Sequence, residues 1–427
     1  MNAVPVSASL RRYAELDQRL LAAVRGVHIL GTVAWPASLE SRLIADFARG
    51  QVSLPQVKYV RPDFSATHAE LVAIEAATTS HDPLDVDPLG DYLRCTAESW
   101  RRAADMLEAV GTAGVTAPSL ALYGRPLDLI PGSQRSNLDA AHHFVALADE
   151  LGAGLLAEEQ FAEVSVDALR ADLAATLDGF FGAGVIAVEI DPELTAKAAA
   201  GATRIRLRGG ASFSEYDRHQ LLAHEALVHS LTALNGRRQP LLVSMARTSP
   251  RVTATQEGLA MFAELMSGVI DITRLKRISL RIVAIDMALN GADFVQVYRF
   301  FSDCGQSVVD SFHSAQRVFR GVPVTGGAAF AKDNVYLSGL LTVHTFFGWA
   351  LKQRRMELLR HLFAGKLALA DVMRLQPHFA SGAILPPRWL PPWMQQVHGL
   401  AGKLAFSVFI NGIAMDQVDP TTWSGAV

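Results

Sequence analysis

Residues 224–229 of this 427-residue chain read His-Glu-Ala-Leu-Val-His and lie within an apolar segment that we predict to be a helix over residues 217–234. Residues 213–217, Phe-Ser-Glu-Tyr-Asp, supply polar side chains that can cap the start of this helix, and Asn235-Gly236 is a typical end signal. The pattern is HExxxH, one residue longer than the HExxH motif whose two histidines bind zinc and whose glutamate acts as a base. This helix is therefore where we look for a metal site.

The extra residue in the motif has a geometric consequence. Side chains four positions apart lie roughly 40° apart around an α-helix, whereas side chains five positions apart lie about 140° apart. A regular α-helix would therefore not direct His224 and His229 to one ion. A π-bulge with i→i+5 hydrogen bonds would do so, and we predict one within residues 224–229. The alternative is that both histidines are ordinary residues of an amphipathic helix with regular i→i−4 bonds.

Nearby carboxylates can supply the other parts of a metal site. Zinc needs a third protein ligand and an open position, and imidazole with carboxylate is a suitable ligand set. Glu257 is the candidate third ligand, because it lies at the start of the next predicted helix, 28 residues after His229. Glu264, two turns further along the same helical face, is the candidate to orient a ligand imidazole. Glu225 is the candidate general base and acid toward a zinc-bound water.

Composition places the chain among ordinary globular proteins. Half of the residues are hydrophobic and 19% are charged, which excludes a largely disordered chain. The net charge of −3 gives no reason to expect a nucleic-acid or anionic-membrane partner. Cys95 and Cys304 stand alone and indicate neither a disulfide framework nor a thiolate metal site.

Targeting and membrane signals are not expected in this chain. The apolar residues 20–30 are interrupted by Arg25 and His28, which does not fit a signal peptide. The longest apolar run, residues 337–351, contains His344 and is shorter than the roughly 20 residues that span a bilayer. We therefore expect a cytoplasmic protein.

Hydrophobic periodicity predicts an α+β fold that is mainly α-helical, with a small sheet beside the helix that carries the motif. Residues 185–190 have the composition of a buried strand, and residues 203–208 alternate strictly, with Ile205 and Leu207 on one face. Residues 386–392 contain four prolines and predict an ordered loop. The predicted helices are 8–30, 38–48, 91–110, 136–151, 165–180, 217–234, 255–268, 274–289, 308–319, 335–351, 356–363 and 369–375. We expect a helical N-terminal region over 1–160 and the metal-binding catalytic region over 161–427, either separate or packed as one unit.

Several linked motifs surround the histidines and follow one another in a fixed order. They are residues 213–217, the HExxxH segment, 232–236 (Thr-Ala-Leu-Asn-Gly), 239–240 (Gln-Pro), 255–260 (Thr-Gln-Glu-Gly-Leu-Ala), 317–321 (Arg-Val-Phe-Arg-Gly) and 330–339 (Phe-Ala-Lys-Asp-Asn-Val-Tyr-Leu-Ser-Gly). Together they resemble the QEGLA-motif family, which includes the bacterial flavohemoglobin expression-modulating QEGLA proteins and the animal microtubule-associated tyrosine carboxypeptidases. The resemblance spans residues 204–339 or so.

The resemblance implies a zinc metallocarboxypeptidase with a gluzincin-like site. One Zn²⁺ would be held by His224, His229 and Glu257, and Glu225 would be the catalytic residue. Because the animal members remove a C-terminal tyrosine or glutamate from tubulin, the resemblance implies the C-terminus of a peptide or protein as substrate. The chain departs from the family pattern at Leu227-Val228, where a Gly-Thr pair is expected, and this departure bears on pocket shape rather than on the ligands.

Basic and aromatic residues in the later motifs are the candidates for substrate binding. A carboxypeptidase must bind a free carboxylate, for which Arg offers a bidentate fork and Lys a point charge. The candidates are Arg317, Arg320, Lys332 and Tyr336. The alternative for any one of them is an ordinary surface or structural ion pair. A second departure from the family pattern, Ala331 in place of an expected Thr, lies beside this set.

The strand over residues 203–208 is a further candidate element for substrate binding. Gluzincins place an edge strand before the active-site helix, where it can pair with an extended substrate backbone. By the same resemblance, its Arg204, Arg206 and Arg208 face could hold an acidic peptide. The alternative is that these are solvent-facing arginines that keep an edge strand from aggregating.

Two other functions remain open from the sequence. One is a dipeptidyl-peptidase-like activity, since HExxxH also occurs in that gluzincin group. The other is a metal-binding regulatory protein without catalysis, to which the name of the bacterial family points. Glu225 argues against the second, because a site that only binds a metal has no need of a base.

Overall fold

The computed structural model describes residues 7–79, 87–152, 163–192, 194 and 197–410. In these residues the chain is mainly helical and carries two small sheets, which confirms the predicted α+β class. No described helix combines the length and the apolar character that a membrane crossing needs. The predicted boundary near residue 160 lies outside the described residues, so the division into two regions stays a prediction.

The N-terminal part is a set of packed helices. They are α1 (Ala8–Ala23), α2 (Ile29–Thr32), α3 (Ala37–Ala48), α4 (Ser65–Thr78), α5 (Pro88–Glu108), α6 (Thr116–Tyr123) and α7 (Asn137–Gly152). The helix predicted over residues 8–30 ends at Ala23, because the chain turns there and the Val27 N–H donates to the Val24 carbonyl at 3.0 Å. α4 and α6 were not predicted from the sequence.

The helices after residue 163 build the rest of the core. They are α8 (Val166–Phe181), α9 (Glu215–Leu221), a π-helix (Leu222–Ser230), α10 (Leu231–Gly236), α11 (Thr253–Met266), α12 (Ile272–Leu289), α13 (Phe294–Asp303), α14 (Val308–Phe319), α15 (Val335–Lys352), α16 (Met356–His361), α17 (Leu369–Arg374), α18 (Gln376–Ala380), α19 (Pro392–Gln395) and α20 (Val397–Ile410). Short 3₁₀ turns are formed by Ala113–Val115, Val243–Ala246, Pro250–Val252 and Ala331–Asn334. α13 was not predicted, because its aromatic and β-branched residues favour a strand by composition.

The strands form one two-stranded and one three-stranded sheet. They are β1 (Glu163–Val164), β2 (Ala187–Asp191), β3 (Ala198–Ala200), β4 (Arg204–Arg208) and β5 (Phe213–Ser214). β1 pairs with β5, and the larger sheet has the order β2-β4-β3, with β2 parallel and β3 antiparallel to β4.

Two expectations about these strands are wrong. β4 is the central strand of its sheet and not an edge strand, because β3 covers its second edge. β2 is only partly buried, since it lies at the edge of the sheet. The alternation predicted for β4 is confirmed: Ile205 and Leu207 are buried in the core and Arg204 and Arg206 are exposed.

Close helix packing positions the QEGLA segment against the helix that carries the HExxxH motif. α11 crosses α15 where two glycines meet, and a Cβ on Gly258 would lie 2.3 Å from the carbonyl carbon of Gly339. Because only glycine permits this approach, Glu257 is held beside α15 and against the π-helix. The Asn235 side chain accepts from the Arg388 N–H at 2.9 Å and donates to the Trp389 carbonyl at 2.9 Å, which holds the proline-rich loop in order as predicted.

Candidate functional site

The HExxxH segment lies on a π-helix, which confirms the predicted widened turn. The π-helix covers Leu222–Ser230, and the Leu231 N–H at its end donates to the Ala226 carbonyl, five residues earlier. The extra residue per turn places both histidines on one face, with their ring centroids 4.9 Å apart. A regular α-helix would have separated them.

Three candidate ligand atoms converge in front of this face. Glu257 Oε2 lies 3.5 Å from His224 Nε2 and 3.5 Å from His229 Nε2. In a tetrahedral site with bonds of about 2.0–2.1 Å, neighbouring ligand atoms lie about 3.3–3.4 Å apart. The spacing and the N₂O donor set therefore fit a zinc ion with one open position.

Charges around the three residues favour a cation between them. Burial raises the pKa of Glu257, but the Lys332 charge and the hydrogen bonds with both histidines outweigh it and hold the pKa well below its ordinary value. Burial lowers the pKa of His224, yet its hydrogen bonds with Glu257 and Glu264 raise it to about 10. The carboxylates around His224 therefore favour a positive charge at this position, either as a proton on the imidazole or as a bound cation.

A buried carboxylate orients the first histidine, as expected for Glu264. Glu264 is fully buried, and its Oε1 lies 2.7 Å from His224 Nδ1, which turns Nε2 toward Glu257. Arg274 donates to both oxygens of Glu264, with Nη2 at 2.6 Å from Oε1. Sequence reasoning missed Arg274; the signal was that a buried glutamate needs a positive partner.

A cavity of about 330 Å³ opens onto these ligands. Glu225 lines it beside both histidines and Glu257, so a water in the cavity can reach its carboxylate. All four predicted substrate-binding residues line the same cavity: Arg317, Arg320, Lys332 and Tyr336. The structure therefore brings together every site residue that the sequence predicted, with Glu264 directly behind.

The basic residues of this cavity differ in whether a carboxylate already neutralises them. Arg317 makes a bidentate pair with Asp333, with Nη2 at 2.7 Å from Oδ1. Lys332 Nζ lies 3.6 Å from Glu257 Oε1. Arg320 has no carboxylate within 4.0 Å among the described residues, and its buried Nε lacks a hydrogen-bond partner there. Burial and the Arg317 charge accordingly lower the pKa of Arg320.

Sequence reasoning missed several residues of the cavity wall. Ala199 and Ala200 on β3 line it, and so do Gln256 and Lys366. Gln256 lies within the QEGLA segment and could have been found by its place next to Glu257. Lys366 lies in the turn after α16, and no motif marks it.

A second, larger cavity of about 720 Å³ adjoins the first and is markedly basic. Arg317 lines both cavities, and Lys197, directly before β3, lines the second. The basic residues of the second cavity are Lys197, Arg208, Lys276, Arg277, Arg281 and Arg317, against the carboxylates of Asp149 and Asp310. We call it the basic cavity, and the first the catalytic cavity.

Most of the arginine face predicted to hold an acidic peptide is already paired. Arg204 Nε lies 3.2 Å from Glu189, and Arg206 Nη1 lies 3.0 Å from Asp191. Both carboxylates are on the neighbouring strand β2. Such exposed pairs contribute little to stability and leave little charge for a ligand. Of the three arginines, only Arg208 lines the basic cavity.

A second group of histidine and carboxylates lies between α4 and α5. His68 Nε2 is 3.2 Å from Glu108 Oε2 and 3.6 Å from Asp105 Oδ1. Glu108 also accepts a hydrogen bond from the Phe64 N–H at 2.8 Å. We call it the surface cluster, and His224, His229 and Glu257 the buried cluster.

The comparison with known families agrees with this geometry. No curated protein matches the chain. The family model described as "microtubule-associated tyrosine carboxypeptidase" matches residues 46–412, which includes the π-helix, the QEGLA segment and the cavity wall. The chain therefore belongs to the microtubule-associated tyrosine carboxypeptidase family.

Proposed function

We propose that this protein is a zinc-dependent metallocarboxypeptidase that removes a C-terminal residue, of the tyrosine or glutamate type, from a peptide or protein. The family implies a carboxypeptidase-like activity. The observation that carries the zinc assignment is the convergence of His224, His229 and Glu257 at the spacing of a tetrahedral site. Two histidines from one helix and a glutamate from a following one is also the gluzincin arrangement.

Hydrolysis needs an activated water and a proton shuttle. A zinc ion bound by the buried cluster would polarise the scissile carbonyl and lower the pKa of the attacking water. Glu225 takes the proton from that water and delivers it to the leaving amine. Glu264 keeps His224 in one orientation during these steps, since its oxygen is 2.7 Å from His224 Nδ1.

A carboxypeptidase also recognises the free carboxylate of its substrate. Arg320 is the arginine of the catalytic cavity best suited to this role, because it lacks a carboxylate partner and its buried Nε is unsatisfied among the described residues. Arg317 forms part of the cavity wall beside Arg320, and its own charge is neutralised by Asp333. Tyr336 offers a hydroxyl and an aromatic ring on the same side.

The rest of the substrate can bind along β3. β3 is one of the two edge strands of its sheet, and Ala199 and Ala200 line the catalytic cavity, so an extended peptide can pair there. Lys197 at its start lines the basic cavity but is paired with Asp217 at 2.9 Å, whereas Arg277 of the same cavity has no carboxylate within 4.0 Å among the described residues. This supports a substrate with acidic residues near its C-terminus.

The test is a defined peptide library with free or amidated C-termini and free or acetylated N-termini. We expect zinc-dependent release of a single C-terminal residue, abolished by amidation and unaffected by acetylation. Peptides with Glu replaced by Gln near the terminus should be poorer substrates. Cleavage of amidated peptides that requires a free N-terminus would instead support a dipeptidyl-peptidase, and no cleavage at all would support a regulatory metal protein.

A further inference from the structure

Lys366 is a buried lysine in the catalytic cavity that the proposed mechanism does not use. It is 7% exposed and lines the cavity together with Glu225 and Glu257. Among the described residues no carboxylate lies within 4.0 Å of its Nζ, whereas Lys332 on the same cavity has Glu257 at 3.6 Å. Burying a charge without a partner is costly, so its retention points to a role toward a ligand.

The backbone holds Lys366 in a fixed place. Its N–H donates to the Met245 carbonyl at 2.7 Å. The residue before it, Gly365, lies so close to Met245 that a Cβ would be 2.8 Å from the Met245 Cβ. These contacts anchor the backbone at Lys366, and the hydrogen bond from Nζ to Gln256 Oε1 at 3.4 Å orients its side chain.

Gln256 is the neighbour of Lys366 and presents a second free donor. Lys366 Nζ donates to Gln256 Oε1 at 3.4 Å, and Thr232 Oγ1 lies 2.9 Å from the same oxygen. An ammonium group can only donate, so the amide oxygen faces Lys366 and the amide nitrogen is left for another acceptor. Gln256 Nε2 is buried and has no hydrogen-bond partner among the described residues.

These donors lie at the reacting centre rather than at the far end of the cavity. Gln256 directly precedes the proposed ligand Glu257, and Lys366 lines the catalytic cavity together with Glu257 and Glu225. Arg320, in contrast, interacts with Arg317 and Asp333. A cation beside the metal ligand and the base lies closer to the scissile carbonyl than to the terminal carboxylate one residue away.

We propose that Lys366 Nζ and Gln256 Nε2 bind the oxygen of the scissile carbonyl as negative charge develops on it. This inference rests on the proposed hydrolase function. The water oxygen bonds to the carbonyl carbon, and the π electron pair of the carbonyl moves onto the carbonyl oxygen. Glu225 takes a proton from the water in the same step. When the carbonyl reforms, the C–N bond breaks and the amine leaves with the proton from Glu225. Lys366 and Gln256 stabilise the charged oxygen between these two events.

Steady-state kinetics of Lys366→Met test this proposal, with Lys352→Met as the matched control on an exposed helix end. Loss of one such donor is expected to lower kcat by about 10²–10³-fold. KM, zinc content and the preference for free over amidated C-termini should stay as in the wild type. The affinity for a phosphinic peptide, which mimics the charged tetrahedral carbon, should fall with kcat/KM while that for a product peptide does not.

Three other results would overturn either the role of Lys366 or the hydrolase function itself. A raised KM with unchanged kcat, together with lost discrimination against amidated peptides, would make Lys366 the clamp for the terminal carboxylate and overturn the proposal. Wild-type kcat in Lys366→Met would also overturn it. If Lys366→Met does not fold, Gln256→Ala provides the second test, with the same expected pattern and a smaller fall in kcat. A wild-type protein that cleaves no peptide rejects the hydrolase function itself.

Discussion

The buried cluster and the surface cluster contain the same chemistry in different surroundings. The buried cluster brings together two histidine nitrogens and one carboxylate oxygen, and the surface cluster one histidine nitrogen and two carboxylate oxygens, each set within 4.8 Å of one another. In the buried cluster, Glu264 fixes a ligand ring from behind and Arg274 in turn fixes Glu264. In the surface cluster, no described residue holds His68 from behind, and Asp105 is half exposed.

The two clusters differ in how far water can solvate their charges. Water can solvate the surface cluster, so its ion pairs gain little and need no metal. In the buried cluster, burial penalises the charge of Glu257, which stays ionised because Lys332 and both histidines surround it. The buried cluster therefore has a π-helix, a buried ion pair and a cavity, and among the described residues the surface cluster has none of these.

The largest expected effect concerns the base beside the buried cluster. Glu225→Gln removes the group that accepts the water proton while it leaves all three ligands in place. We expect peptide hydrolysis to fall by about 10²–10⁴-fold, with zinc content unchanged. Stopped assays of product release and metal analysis on the same preparation measure both. Retained activity would show that another group accepts the proton.

An intermediate effect is expected from the residue behind the ligand. Glu264→Gln keeps the size of the side chain but removes the charge that His224 and Arg274 share. Zinc affinity should fall about 10–100-fold, the usual cost of such a change. Competition with a chelator measures the affinity, and circular dichroism of the same sample shows that the protein is folded. Unchanged affinity would mean that the orientation of His224 does not depend on Glu264.

The sequence predicts those features that depend on residues close together in the chain. The motif spacing was enough to predict the π-helix, since a geometric conflict between His224 and His229 had only one simple solution. The assignment of His224, His229 and Glu257 as zinc ligands stays a prediction. The short β3 was not foreseen, because Ala198–Ala200 shows no alternation. For this reason the sequence wrongly predicts β4 as an edge strand.

Features that depend on distant parts of the chain were missed for a physical reason. Lys366 reaches the catalytic cavity only because the turn after α16 packs on Met245, 121 residues earlier in the sequence. The pairing of Arg317 with Asp333 likewise depends on how α14 meets the next turn. No local pattern encodes either contact.

The smallest effect is expected at the surface cluster. Glu108→Ala should leave zinc content and hydrolysis unchanged. It should lower the free energy of unfolding by about 1 kcal/mol, because the contacts of Glu108 with His68 and the Phe64 N–H are lost. Denaturant unfolding measures the stability change. A second zinc equivalent in the wild type that disappears in this variant would contradict the contrast between the clusters.

Metal stoichiometry shows whether the buried cluster is a zinc site. Wild type, Glu257→Ala and the matched control Glu108→Ala are purified in parallel and analysed for metal after dialysis against zinc-limited buffer. We expect one zinc per chain in the wild type and in Glu108→Ala, and little or none in Glu257→Ala. Full zinc occupancy in a folded Glu257→Ala protein would contradict this expectation.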